Sequence, residues 1–412
     1  MSPLEIEVEP GEVGLDPSRL QRIDRHFAQY VTAGKLPGWA VLVSRNGKIA
    51  HLSTCGMRDI ASGAAVRTDT LFRIYSMTKP ITSVAIMMLH EEGAFELTDP
   101  VSNFIPSFAD LRVYTGGPAR QPQTRPAVEE MRIWHLLTHT SGLTYAFNHL
   151  NPVDELYRHA GFEHGMADNL DLQGCCDAWA DMPLLFDPGR AWNYSVATDV
   201  LGRIVEIASG LPLDEFFRTR LFEPLGMRDT GFSIDRADAD RLATLYVADA
   251  AGRAAPHPRH AALHEAAFEP PKAPSGGGGL ISSAHDYHRF TQMLLRGGEL
   301  DGQRLLGDRT VKYMTRNHLP GGADLQTLAL GAFSEAANAG KGFGLGFAVV
   351  DDPVAAKVIC SPGEFSWGGL ASTAFWVDPV EDLTVVFLTQ LMPSSTHPLR
   401  PQLHQLVYQA LV

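Results

Sequence analysis

Apolar residues in this chain recur with two different spacings, and the switch between them outlines the fold. From residue 80 onward, Ile81, Val84, Ala85, Met88 and Leu89 repeat at i, i+3 and i+4, the signature of a helix that buries one stripe. Pro80 suits an early position of that helix, where an amide hydrogen has no partner. A second stripe, Val200, Leu201, Ile204, Val205 and Ala208, ends at Gly210, a plausible C-cap. A helix is expected over 17–33, and another amphipathic one over 401–412. Strands are expected over 38–44 and 49–55, joined by Arg45-Asn46-Gly47-Lys48, whose Asn-Gly pair signals a tight hairpin. Short segments rich in Val, Phe and Trp over 344–350, 371–377 and 383–389 read as further strands. The last two are linked by Asp378-Pro379-Val380-Glu381-Asp382. The middle of the chain reads as helical, with loops at 116–126 and 149–152. Strands at both ends around a helical middle predict an α/β chain of α+β type, split by a helical insertion, and no internal repeat is visible.

Composition narrows the function classes. The chain has 412 residues, 45% hydrophobic and 20% charged, which suits a globular protein with a large core. A formal net charge of −13 without any basic cluster argues against nucleic acid and anionic membrane surfaces as partners. No segment reaches the length of a membrane span. The start, with Glu5, Glu7 and Glu9 between Leu4, Ile6 and Val8, lacks the cationic and apolar regions of a secretory signal, so a cytoplasmic location is expected. Cys55, Cys175, Cys176 and Cys360 include two adjacent residues, awkward for a disulfide framework, and are expected to be reduced and structural. The histidines show no metal-binding spacing, so no metal is assigned.

Three stretches carry candidate chemistry. In Ser76-Met77-Thr78-Lys79 a hydroxyl and an amine share one helical face, and Lys79 is the only lysine with a serine three positions before it. A lysine partly removed from water loses its proton more readily and can serve as a base, whereas the plain alternative is a capping serine beside an exposed lysine. Asp187-Pro188-Gly189-Arg190-Ala191-Trp192-Asn193-Tyr194-Ser195 leads into the second helix. A phenol near an ammonium would relay protons, although Tyr194 taken alone reads more readily as a core aromatic with a satisfied hydroxyl. Gly363-Glu364-Phe365-Ser366-Trp367-Gly368-Gly369-Leu370 runs into a strand, and its paired glycines would let a substrate approach the backbone, with the Leu370 N–H serving an oxyanion. The run Gly276-Gly277-Gly278-Gly279 lacks the lysine and hydroxyl of a phosphate loop and reads as a mobile or tightly turning backbone. No Gly-x-Ser-x-Gly occurs, so an α/β-hydrolase nucleophile elbow is not supported.

Taken together, these stretches resemble the serine β-lactamase and penicillin-binding superfamily, and within it the family VIII carboxylesterases, relatives of class C β-lactamases. The resemblance also rests on His135-Leu136-Leu137-Thr138-His139-Thr140-Ser141-Gly142-Leu143, Leu97-Thr98-Asp99-Pro100-Val101 and Leu221-Phe222-Glu223-Pro224-Leu225-Gly226-Met227, and spans about 37–390. It implies a β-lactamase-like fold: an antiparallel sheet flanked by helices, split over 10–75 and 215–412, with a mainly helical domain over 76–214 and the active site in the cleft between them. It further implies Ser76 as the acyl-accepting nucleophile, Lys79 and Tyr194 as coupled proton carriers, and the backbone N–H groups of Ser76 and Leu370 as the oxyanion hole. No cofactor is required by that chemistry. Where class C β-lactamases carry Tyr-x-Asn this chain has Tyr194-Ser195-Val196, and where they carry Lys-Thr-Gly it has Trp367-Gly368-Gly369. Losing an amide and an ammonium favours uncharged esters over anionic lactams, so a carboxylesterase for small short-acyl esters is expected, with weak β-lactamase side activity. A β-lactamase, a D-amino-acid peptidase or an acyltransferase using the same acyl-enzyme remain as alternatives. Phe365, Trp367, Gly368, Gly369, Trp134, Tyr145 and Trp192 are the expected substrate pocket, each aromatic being open to a reading as ordinary core.

Overall fold

A computed structural model describes residues 4–163, 165–331 and 338–412. Eight strands form its central sheet: β1 (Gly38–Arg45), β2 (Lys48–Asp59), β3 (Ala64–Ala65), β4 (Lys341–Phe343), β5 (Ala348–Val350), β6 (Phe365–Gly368), β7 (Ala374–Asp378) and β8 (Leu383–Thr389). Their order is β4-β5-β6-β7-β8-β1-β2-β3, with every neighbouring pair antiparallel. The two ends of the chain thus meet at the β8–β1 seam, where Val41 faces Phe387 and Leu42 faces Val386.

Alternation along β1 divides the sheet's faces. Trp39, Val41 and Val43 join a core with Leu20, Ile23 and Phe27 of α1 (Pro17–Thr32) and with Leu403 and Val407 of the C-terminal helix. Ala40 and Leu42 point the other way, into a larger core built with the central helices. A sheet buried on both faces explains why β1 and β8 are apolar almost throughout. α1 starts cleanly because Asp16 accepts hydrogen bonds from the Ser18 and Arg19 amides and Pro17 occupies the first turn.

The helices that matter for the site are α2 (Thr78–Glu91), α3 (Ile133–Leu137), α4 (Leu172–Ala180), α5 (Ala197–Ser209), α6 (Ala284–Leu295) and α7 (Leu399–Tyr408). α5 ends on Gly210 at φ 73, the left-handed cap that a glycine tolerates best.

Several expectations need correction. α2 is buried on all sides rather than along one stripe: Thr78, Lys79, Thr82 and Ser83 are as enclosed as its leucine and methionines. Its polar residues are satisfied by distant segments, as when Thr82 Oγ1 donates to the Gly276 carbonyl at 2.6 Å. Of the strand expected at 344–350 only β5, 348–350, is extended; 344–347 is a tight turn after β4, in which the Gly344 amide donates to Phe347 O at 2.7 Å. The strand expected from 371 begins at Ala374, because 369–373 form a turn closed by Gly369 N to Thr373 O at 2.9 Å. Within the helical middle, Arg112–Gly116 and Gln123–Pro126 pair as a small hairpin, its second strand inside the loop expected over 116–126. The C-terminal helix starts two residues early, at Leu399, and stops at Tyr408.

Candidate active site

Ser76 stands on a single 3-10 turn, Tyr75–Met77, that leads into α2. It does not cap the helix: Met77 occupies the N-cap position, and no side chain caps it. The residue before the serine, Tyr75, has φ 46, a left-handed conformation that costs a non-glycine residue on the order of 1 kcal/mol or more. Surrounding segments hold the turn in this shape. The Ile74 amide donates to Leu280 O at 3.0 Å, the Thr373 hydroxyl donates to Ile74 O at 3.3 Å, and the Tyr287 hydroxyl donates to Met77 O at 2.8 Å. Three contacts from distant residues therefore fix the turn that carries Ser76.

Lys79 lies one turn further and is only 2% exposed. Its Nζ donates to the Gly277 carbonyl at 2.7 Å, to the Tyr145 hydroxyl at 3.0 Å and to Ser76 Oγ at 3.4 Å. The Tyr194 ring centroid is 4.5 Å away and that of Tyr145 5.2 Å, so two π-faces complete the lysine's shell. The bond to Ser76 is the longest of the three. The Gly276–279 backbone turns tightly, the second of the two readings of that run: the Gly277 carbonyl binds the lysine while its amide donates to Asp199 Oδ1 at 2.9 Å.

Tyr194 is brought to the same place by the loop before α5. The Asn193 amide donates to His139 O and its side chain to Leu143 O, both at 2.9 Å. The Tyr194 ring packs 5.1 Å from His139, 5.3 Å from Tyr145 and 5.6 Å from Trp367. His139 is fully enclosed, and burial, aided by the lysine's charge, holds its pKa well below the ordinary value, so it packs here as a neutral ring. Val196, at the position where the class C pattern has asparagine, is buried and apolar.

The Trp-Gly-Gly segment packs beside the site, and its glycines meet the chain's own atoms. A Cβ on Gly369 would lie 2.3 Å from Ile74 O and 2.3 Å from Thr373 Oγ1, and one on Gly368 would lie 2.3 Å from the Arg400 guanidinium carbon. The glycines let the chain's own backbone and Arg400 approach. Arg400 Nη2 of α7 donates to Gly369 O at 2.9 Å and Thr373 O at 3.0 Å, clamping the turn that carries Leu370.

Not every expected pocket residue reaches the site. Trp367 and Tyr145 do, and Phe147 stacks on Tyr145 at 4.5 Å as an exposed outer layer. Trp192 is fully buried behind Tyr194, with the rings 6.1 Å apart and nearly parallel. Phe365 shares a strand face with Trp367 but lies one pleat deeper, against Phe347 at 5.1 Å, and is core. Trp134 packs on His135 in α3 with ring centroids 4.0 Å apart, beside Gly189 rather than Lys79. Sequence reasoning missed Asp199, Gly277 and Arg400. Asp199 left a signal: an acid among Val196, Ala197, Val200 and Leu201 on a helix's buried start. Among the described residues Cys360, Glu364 and His404 bring possible ligand atoms within 4.8 Å of one another, but the Glu364 carboxylate already accepts from Tyr408 at 2.6 Å and is bonded to His404 at 2.8 Å.

With this geometry in hand, likeness to known proteins becomes informative. The family model described as Beta-lactamase matches residues 23–409. Esterase EstB of Burkholderia gladioli is 33% identical over 97% of this chain and 98% of its own length. Acyltransferase calJ of Penicillium decumbens is 27% identical, covering 84% of this chain and 82% of its own. Among solved structures, that of EstCE1, described as a hydrolase with promiscuous acyltransferase activity, superposes with a TM-score of 0.78 at 28% identity, over 95% of this chain and 98% of its own.

Proposed function

This chain belongs to the beta-lactamase family and is a serine hydrolase of that fold, and we propose that within it the protein is a carboxylesterase of the family VIII type. The observation that carries this reading is the buried Lys79 ammonium nitrogen within 3.4 Å of Ser76 Oγ, between two tyrosine rings. Ser76 Oγ attacks the ester carbonyl carbon while its proton passes to the coupled Lys79–Tyr194 pair. The carbon–oxygen bond to the alcohol then breaks, the pair returns the proton to the departing alkoxide, and the acyl group remains on Ser76. A water activated by the same pair then releases the acid. The N–H groups of Ser76 and Leu370 are the proposed oxyanion donors, each worth about 3 kcal/mol in the transition state.

An indole at Trp367, where the relatives that process anionic lactams carry an ammonium, supports small uncharged short-acyl esters as substrates and only weak lactam cleavage. The four unpaired cysteines fit a cytoplasmic setting. No helix among the described residues is long and apolar enough to cross a membrane. Acyl transfer to an alcohol acceptor is the second reading, favoured by likeness to calJ and EstCE1. Hydrolysis of p-nitrophenyl butyrate by wild type and by folded Ser76→Ala tests the main reading: activity abolished in the variant supports it, and full activity in the variant overturns it. Product analysis with a competing alcohol separates hydrolase from transferase.

A further inference from the structure

We propose that Asp199 is a positioning residue of this site: acting through the Tyr145 hydroxyl, its carboxylate keeps the shared proton of the Lys79–Tyr194 pair on Lys79. The inference rests on the hydrolase reading for its catalytic meaning, but not for its test.

The hydrogen bonds have one consistent direction. Lys79 Nζ donates to the Tyr145 oxygen at 3.0 Å, so the phenol's single proton is free to point toward Asp199, whose Oδ2 lies with the Tyr145 oxygen on the same side of Gly277. Ammonium, phenol and carboxylate then form a chain in which each donor has its acceptor. Reversing it, with a neutral lysine accepting from Tyr145, takes a donor away from a buried carboxylate. The junction requires glycine at 277: a Cβ there would stand 2.6 Å from Asp199 Oδ2 and 2.9 Å from the Tyr145 oxygen.

Asp199 is 1% exposed, and a buried charge persists only with compensation. Its Oδ1 accepts from the Ser275 hydroxyl at 2.5 Å and the Gly277 amide at 2.9 Å. Burial raises its pKa, while the Lys79 charge and those hydrogen bonds act against that rise. The other titratable groups facing this pair add no charge. Cys175 and Cys176 of α4 face the carboxylate as thiols whose pKa burial raises. His139 faces the lysine as a neutral ring, and Tyr145 is a phenol pushed well above its ordinary pKa by burial and by Asp199.

A purely structural Asp199, pinning only the Ser275–Gly277 turn, predicts no change in lysine titration. The test is NMR titration of protein labelled with ε-¹³C lysine, the Lys79 signal being assigned by its loss in Lys79→Arg, in wild type, Asp199→Asn, Tyr145→Phe and the double variant. The expected result is a Lys79 pKa lowered by about one unit or more in each single variant, with the double variant no lower than Asp199→Asn alone. A Lys79 pKa unchanged in Asp199→Asn, or a drop that Tyr145→Phe does not share, overturns the proposal; should Asp199→Asn not fold, an unchanged pKa in Tyr145→Phe overturns it equally. Because no substrate is involved, a protein that turns over no ester yet shows the shift supports the relay while contradicting the hydrolase reading. An active esterase without the shift does the opposite.

Discussion

Gly369 and Ile74 are in direct backbone contact across the site, so close that a methyl group on Gly369 would lie 2.3 Å from the Ile74 carbonyl oxygen. Ile74 is two residues before Ser76, and Gly369 one before Leu370, which couples the two halves of the proposed oxyanion hole. Gly369→Ala forces them apart, and overpacking of this kind costs typically about 1–3 kcal/mol. We expect a lowered denaturant midpoint and a fall in kcat of at least about tenfold, read by chemical denaturation and by ester kinetics on the same preparation.

Arg400 makes a second, independent demand on that turn. Replacing it with methionine leaves the Gly369 and Thr373 carbonyls without the Nη2 donor. Both carbonyls keep a backbone donor, the Ser372 N–H for Gly369 and the Gly369 N–H for Thr373, so what is lost is two hydrogen bonds to a charged group, about 1.5–3 kcal/mol each. The expected signature of Arg400→Met is reduced stability with kcat falling more than KM rises, because the turn serves the transition state and not ground-state binding. An unchanged kcat would separate Arg400 from the oxyanion turn.

Lys79→Ala removes the donor at 3.4 Å from Ser76 and leaves the Gly277 carbonyl unpaired on that side. Loss of a positioned proton carrier lowers rates typically by about 100- to 10,000-fold. Ester kcat/KM should drop within that range while circular dichroism remains native; a drop of only a few-fold would remove Lys79 from the proton path.

Stability should fall on acidification through buried histidines. Burial pushes the His135 pKa down to about 4 and that of His288 down to about 3, against 6.5 when unfolded. Below pH 6.5 the unfolded chain takes up protons that these native rings refuse, so stability is full above that pH and is lost between it and the folded values. Each ring contributes a slope of up to about 1.4 kcal/mol per pH unit. Urea unfolding at pH 7, 6 and 5 reads the slope, and His288→Gln should flatten it.

The sheet was legible in sequence wherever a strand alternated or a turn announced itself: Asn46-Gly47 and the 378–382 connection both sit where strands pair as expected. What escaped was set by distant partners. Lys79, Thr82 and Ser83 looked like the polar side of an amphipathic α2, yet they are buried because Gly276, Gly277 and other segments far along the chain satisfy or cover them. Local periodicity has no access to such contacts. Tyr145 was read as a pocket wall, but its hydroxyl is the lysine's partner, a relationship between residues 66 positions apart. Phe365 carries the same pattern as Trp367, and only depth within the sheet tells core from site.

The central claim, that Ser76 carries the acyl group, is tested most directly by quenching wild-type protein in acid during turnover of p-nitrophenyl butyrate and locating the butyryl adduct by peptide mass spectrometry. A butyryl group on the peptide containing Ser76, absent from Ser76→Ala, is the predicted result. Turnover by wild type with the butyryl group on another residue, or undiminished turnover by the folded variant, would contradict the account.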